Sequence, residues 1–199
     1  MYVTLNVASD QPSAFSPSYN FDYVIPDGTS GVTISGNAPY NIKGNSANNS
    51  ITGNTGANVI YGAGGNDTLT GGAGNDTYLL GRGDGKDVIV ENDSTAGNTD
   101  VAQFATDIAA DQLWFRQVGN NLEVSVIGTN DQFTVNNWYL GNQYHVEQFK
   151  SGNGKVLLDS KVQNLVQAMA SFSPPAAGQT TLPANYQSSL SGVIAANWQ

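Results

Sequence analysis

Single large apolar residues punctuate a polar background at an almost constant interval in the first half of the chain. Ile42, Ile51, Ile60, Leu69 and Tyr78 follow one another every nine residues, with Ile34 upstream and Ile89 downstream at slightly altered spacing. Four nine-residue units without gaps carry the pattern: GNSANNSIT (44–52), GNTGANVIY (53–61), GAGGNDTLT (62–70) and GGAGNDTYL (71–79). Position one is always Gly, position six Asn or Asp, and position eight large and apolar. DGTSGVTIS (27–35) and the shortened GNAPYNIK (36–43) extend the pattern upstream, and GRGDGKDVIV (81–90) extends it downstream with one extra residue. Six residues rich in Gly, Asn and Asp favour a turn, because positive φ is accessible there. The last three read as a very short strand with one inward side chain. Two units then form one flat coil, unit n stacks on unit n+2 at ~4.8 Å, and sixth-position side chains face one another along the edge.

The second half alternates differently. Residues 111–118 and 121–128 read as strands about the turn residues Gly119 and Asn120, with Leu113, Phe115, Leu122, Val124 and Val126 inward. Residues 131–139 form a third strand, and residues 146–158 a hairpin closed by SGNG. This sheet is expected to cap the open end of the stack, where an unpaired edge would otherwise be exposed. Trp114, Trp138 and Phe149 fit the core of that cap. A capping box between Ser160 and Gln163, followed by Val162, Leu165, Val166 and Met169, predicts one short helix over 160–171, stopped by Pro174 and Pro175. A polar linker follows, then a last amphipathic turn or two containing Leu190, Val193, Ile194 and Trp198. At the other end, Val3, Leu5 and Val7 alternate as in a strand, ahead of a Ser/Pro linker. The reading is therefore all-β: a parallel β-roll (27–100), a β-rich cap (101–172) with one short helix, an N-terminal strand and linker (1–26), and a C-terminal tail (173–199).

Charge sharpens the picture. The chain has 16 acidic and 7 basic residues, a net charge of −9, and nine of the acids fall within residues 67–111. They are mostly Asp, and they recur at the repeat spacing. Such a surface disfavours nucleic acid. The absence of Cys excludes disulfides, zinc–thiolate centres and thiol nucleophiles. No apolar run reaches the ~18 residues of a membrane span. MYVTLNVASD has no basic segment leading into an apolar one, so no cleavable leader is expected and export would take another route. Two facing carboxylates ~5 Å apart repel by about 3 kcal/mol at an effective dielectric of ~20. A hard cation between the coils reverses that sign, and a flexible cage of six to eight oxygens suits Ca²⁺ better than Mg²⁺.

GAGGNDTLT and GGAGNDTYL resemble the nonapeptide of the repeats-in-toxin (RTX) family, a calcium-binding β-helix motif. GRGDGKDVIVEND, DVAQF, DQLWFRQVGNNLEVSVIGTNDQFTVNNWY, VEQF and SGNGKVLL resemble the domain that closes such rolls in secreted bacterial proteins, so the likeness spans about residues 44–172. The resemblance implies that Asp67 and Asp76 bind Ca²⁺ together with carbonyls of Gly62, Gly64, Gly71 and Ala73. Stacking would pair Asp67 with Asn49 upstream and with Asp84 or Asp87 downstream, and Asp76 with Asn58 upstream and Asp93 or Asp100 downstream. Two or more ions are expected, with well-filled sites near Asp67–Asp87 and Asp76–Asp100. Upstream, Asn49 and Asn58 either ligate through neutral amide oxygens or replace metal with a ladder of amides.

No G-x-S-x-G, H-E-x-x-H or thiol is present, and His145 is the only histidine, so no enzyme is expected and His145 reads as an ordinary surface or cap residue. The leading expectation is a secreted, calcium-folded structural protein that builds an S-layer, fibre or matrix at the cell surface. Self-assembly through residues 1–8, a surface polysaccharide and the type I secretion machinery are its expected partners. The alternatives are a monomeric adhesin or binding module, and the C-terminal secretion module of a larger RTX enzyme or toxin.

Overall fold

A computed structural model describes residues 19–199. Nine short strands come first: β1 (Tyr23–Val24), β2 (Gly31–Thr33), β3 (Asn41–Lys43), β4 (Ser50–Thr52), β5 (Val59–Tyr61), β6 (Thr68–Thr70), β7 (Thr77–Leu80), β8 (Lys86–Ile89) and β9 (Val101–Phe104). Five more follow, β10 (Leu113–Val118), β11 (Asn121–Val126), β12 (Gln132–Val135), β13 (Gln148–Lys150) and β14 (Val156–Leu158). Two helices, α1 (Asp159–Met169) and α2 (Ala184–Asn197), complete the described chain.

Odd and even repeat strands part company. One seven-stranded sheet runs β1-β3-β5-β7-β9-β13-β14 and the other β10-β11-β12-β8-β6-β4-β2. Within the repeats all pairing is parallel, and Ile51 aligns with Leu69 and Ile60 with Tyr78, as stacking of unit n on unit n+2 requires. Ile42, Ile51, Ile60, Leu69, Tyr78 and Ile89 are all fully buried. The first unit departs from the expected phase. Thr29 N–H donates to Pro26 O with Gly28 at φ +82°, so the turn closes early and the strand begins at Gly31. Val32, not Ile34, therefore aligns with Ile51, and Ile34 is buried just beyond it. The stacked strands begin at Tyr23, inside the segment read from sequence as an N-terminal linker. The strand expected around Val3, Leu5 and Val7 lies outside the described residues.

The capping strands are not a separate sheet laid across the end. β12 pairs in parallel with β8, and β13 pairs in parallel with β9, so both repeat sheets run on into the second half. β10 and β11 then extend one sheet antiparallel, and β14 the other. This solves the edge problem more directly than a lid would, because each last repeat strand gains backbone partners. Leu113, Phe115, Leu122, Val124 and Val126 point into the core as expected, and Trp114, Trp138 and Phe149 are buried with them. β12 is shorter than the pattern suggested: Asn137 adopts φ +59° and turns the chain into a 3-10 segment at Trp138–Leu140.

The helical part differs most. β14 leads straight into α1, whose N-cap is Leu158, so Ser160 lies inside the helix and the capping box with Gln163 does not form. Among the described residues there are two α-helices rather than one. α2 buries Leu190 and Ile194, with Trp198 just beyond it, and Asn164 Nδ2 of α1 donates to Asn197 Oδ1 at 2.8 Å. The preceding segment is tethered too, since Gly178 N–H donates to Gly128 O and Leu182 is buried. Val156 and Gln199 exchange both backbone hydrogen bonds, at 2.8 and 2.9 Å. The ring of Trp198 packs edge-on against Phe115 at 6.3 Å, and Tyr186 lies 6.1 Å from Trp114. Deleting residues 184–199 is thus expected to remove three buried side chains, Leu190, Ile194 and Trp198, at ~2 kcal/mol or more each. A fall of at least ~10 °C in the melting temperature measured in calcium follows; an unchanged melting curve would show the helix to be dispensable.

Candidate metal centre

Sixth-position side chains form two files, one along the turns leading into each sheet. On the first, Asn49 N–H donates to Asp67 Oδ1 at 2.7 Å and Asp67 N–H donates to Asp87 Oδ1 at 3.0 Å. On the second, Asn58 N–H donates to Asp76 Oδ1 and Asp76 N–H to Asp100 Oδ1, both at 2.7 Å. Asp100 N–H donates in turn to Glu147 Oε2 at 2.6 Å. Each rung thus orients the carboxylate of the next. Asp67, Asp76, Asp87 and Asp100 are all buried.

The invariant first-position Gly has a steric cause. A Cβ on Gly62 would sit 2.1 Å from Asp67 Oδ2, and one on Gly71 would sit 2.1 Å from Asp76 Oδ2. The carboxylate folds back into the space a side chain would fill. Carbonyls crowd the same corner: Gly62 O lies 2.0 Å from the point a Gly44 Cβ would occupy, and Gly71 O lies 2.3 Å from that of Gly53. Gly64 sits in the turn of its unit, 3.6 Å by its would-be Cβ from Ser46 Cα, and Ala73 lies between the left-handed Gly72 and Gly74 of the next turn.

Upstream and downstream halves differ in chemistry. Asn45 N–H donates to Asn49 Oδ1 at 2.8 Å, and Asn49 Nδ2 donates to Thr29 O and Asn45 Oδ1. Asn54 N–H donates to Asn58 Oδ1 at 2.9 Å, and Asn58 Nδ2 donates to Asn54 Oδ1. These amides satisfy one another. By contrast, Asp67 Oδ2, Asp76 Oδ2 and Asp87 Oδ2 are buried with no hydrogen-bond partner among the described residues. Burial pushes Asp67, Asp76 and Asp100 up to about 7 and Asp87 to about 8, and neighbouring carboxylates add to each rise. The ion pairs among the described residues are Arg82–Asp107 and Arg116–Glu123, neither of which touches either file. Buried, acceptor-only oxygens without a counter-charge are costly. A donor set of carboxylates and carbonyls, with no nitrogen or sulfur, is the set a hard cation such as Ca²⁺ takes.

The remaining candidates fall into place around the files. Asp100 stacks on Asp76, whereas Asp93 receives Gly74 N–H at 3.2 Å and Thr95 N–H at 2.8 Å on the turn outside. Asp87 stacks on Asp67. Asp84 instead closes its own turn, accepting from Gly81 N–H and from the Tyr61 hydroxyl at 3.0 Å, and burial holds it up at about 6. Sequence reasoning missed three acidic participants. Glu147 precedes β13 as Asp100 precedes β9, a register visible only once the strands are paired. Asp131 accepts from Gly83 N–H and Gly85 N–H, both at 3.0 Å. Glu91 is buried and accepts from the Tyr78 hydroxyl, which itself accepts from Gly71 N–H. The signal for this last group was Tyr78, an oxygen-bearing ring where the neighbouring units carry Ile or Leu. His145 is a cap residue, its ring stacked 3.9 Å from that of Trp138 and its Nδ1 3.2 Å from Asp159.

Residues 43–78 match the family model of the RTX calcium-binding nonapeptide repeat, in four copies. Residues 121–160 match that of the haemolysin-type calcium binding protein related domain. The first match covers the four gapless units up to Tyr78, and the second runs from β11 into α1.

Proposed function

With RTX calcium-binding repeats as the premise, we propose that the two sheets form a calcium-folded parallel β-roll and that the protein is secreted and builds a layer, fibre or matrix at the cell surface. The observation that carries this reading is the set of buried, unpartnered oxygens on Asp67, Asp76 and Asp87. Calcium, when bound, would supply the positive charge that these carboxylate oxygens lack and that they can coordinate. Asp67 and Asp87 would hold ions in one file and Asp76 and Asp100 in the other, with turn carbonyls such as those of Gly62 and Gly71. The amides of Asn49 and Asn58 would hold the upstream rungs without an ion. Extracellular calcium modules work at 10⁻⁴–10⁻³ M, so an acidic chain of this kind stays open at low calcium and closes outside the cell.

A structural role, rather than catalysis, agrees with a site whose acids are committed to stacking. The burial of Trp114, Trp138 and Phe149 favours a scaffold over a carbohydrate-reading adhesin, since these rings serve the core. No helix among the described residues is long and apolar enough to cross a membrane. Export by a type I machine, contact with a surface polysaccharide and head-to-tail contact through residues 1–8 complete the proposal. Electron microscopy of the purified chain with and without millimolar calcium tests it. Ordered filaments or sheets that appear only with calcium support assembly; dispersed monomers in both conditions favour a binding or secretion module.

A further inference from the structure

We infer that the chain carries one calcium site outside the repeat rule, in which Glu91 joins Asp76 and Asp100 as a ligand and Tyr78 positions Glu91. The inference rests on the calcium reading of the repeats and adds a ligand that no repeat position supplies.

Glu91 lies in the connection between β8 and β9, yet it is buried. One oxygen from each of Asp76, Glu91 and Asp100 lies within 4.8 Å of the others. Two Ca–O bonds of ~2.3–2.6 Å span such a distance. A second observation points the same way. Asp76 Oδ2 has no hydrogen-bond partner among the described residues, and it faces the same corner as the Tyr78 hydroxyl. A Cβ on Gly71 would sit 2.1 Å from the one and 2.6 Å from the other. Tyr78 accepts from Gly71 N–H and donates to Glu91 Oε1, so its ring fixes one carboxylate oxygen beside the unpartnered oxygen of the next.

The packing accommodates this arrangement. Tyr78 replaces the aliphatic residue of the neighbouring units, and its register partner in β9 is Ala102, the small residue that a ring requires opposite it. Burial first, then Asp100, Asp76 and Glu147, push Glu91 up to about 9. These are the repulsions a divalent cation relieves.

Calcium titration of the full chain, Glu91→Gln and Tyr78→Phe, by isothermal calorimetry and equilibrium dialysis at neutral pH, tests the site. Glu91→Gln is expected to bind one ion fewer, or to bind one ion at least ~10-fold more weakly, with the other ions unchanged. Tyr78→Phe is expected to weaken that same ion by about 10-fold or less, as loss of an orienting partner does. If Glu91→Gln binds as the wild type does, Glu91 is a neutral hydrogen-bond partner of Tyr78 and the site is overturned, while the repeat reading stands. If the wild type binds no calcium, the repeat reading itself fails. Should Glu91→Gln not fold in saturating calcium, Tyr78→Phe decides: one weakened ion supports the site, and unchanged binding overturns it.

Discussion

Chelation with EGTA is expected to abolish the β-sheet circular dichroism of this protein at neutral pH. The strands within the four gapless units are three or four residues long and hold one or two fully inward side chains each. Such strands have little of their own to set against the entropy of ordering a glycine-rich turn. Stacked carboxylates ~5 Å apart, each adding about 3 kcal/mol of repulsion at an effective dielectric of ~20, push the rungs apart when ionised. The loss should centre on residues 59–104, where Asp67, Asp76, Asp87 and Asp100 stand in file, and hydrogen exchange would locate it there. Asp76→Ala removes a hydrogen-bonded rung and a ligand at once, since its carboxylate accepts from Asn58 N–H, while its backbone N–H still donates to Asp100. It should raise the calcium midpoint at least ~10-fold, against less than about twofold for the exposed Asp27→Ala. An EGTA-treated chain with intact β signal and protected amides would overturn the account of what holds the rungs together.

Acid should substitute for calcium in part. In the folded chain burial lifts Asp67, Asp76 and Asp100 to about 7, Asp87 to about 8, Glu91 to about 9 and Asp84 to about 6. The same groups titrate near 4 when unfolded. A group whose folded value is raised binds its proton more tightly in the fold. Its protonation therefore stabilises the fold, fully at pH below the unfolded value, and that contribution disappears as pH rises through the folded value. In EGTA, the fold should thus gain stability as pH falls from 9 to 5, with the largest gain per pH unit below about 6, where these groups are protonated in the fold and still ionised when unfolded. Calcium binding near pH 7 should release protons, which calorimetry in buffers of different ionisation enthalpy measures directly. An ion-free chain equally unfolded at pH 9 and pH 5 would contradict the burial of these carboxylates.

The repeat stack was legible because two periodic demands coincide in it. An apolar residue every nine positions marks the inward side chain, and a fixed offset to Asp or Asn marks the edge, so Ile51, Ile60, Leu69, Asp67 and Asp76 could be placed without coordinates. The choice of Asp87 over Asp84, and of Asp100 over Asp93, was not legible. There the period is broken by inserted residues, and only the pairing of β6 with β8 and β7 with β9 selects the partner. Glu147 and Glu91 escaped because one stands just before a strand, 47 residues beyond Asp100, and the other in an irregular connection. The second helix was underestimated for a different reason. Its isolated pattern is weakly amphipathic, and its length is set by what Leu190, Ile194 and Trp198 find to pack against. Val32 displaced Ile34 because one early turn, closed at Thr29, shifted the frame by two residues.

The parallel docking of β12 on β8 and of β13 on β9 has a kinetic consequence. The last two repeat strands find half of their backbone partners among residues 132–150, more than 40 positions downstream. Closing loops of that length precedes any reward from contacts, which makes this region the slow step of folding. A chain emerging with its N-terminus first therefore lacks a nucleus until residue 150 is free, and then zips backward toward Tyr23. A chain emerging in the opposite sense carries its nucleus in the lead and adds one rung at a time behind it. The direction of emergence thus decides whether the same molecule folds in a single late event or as a ratchet.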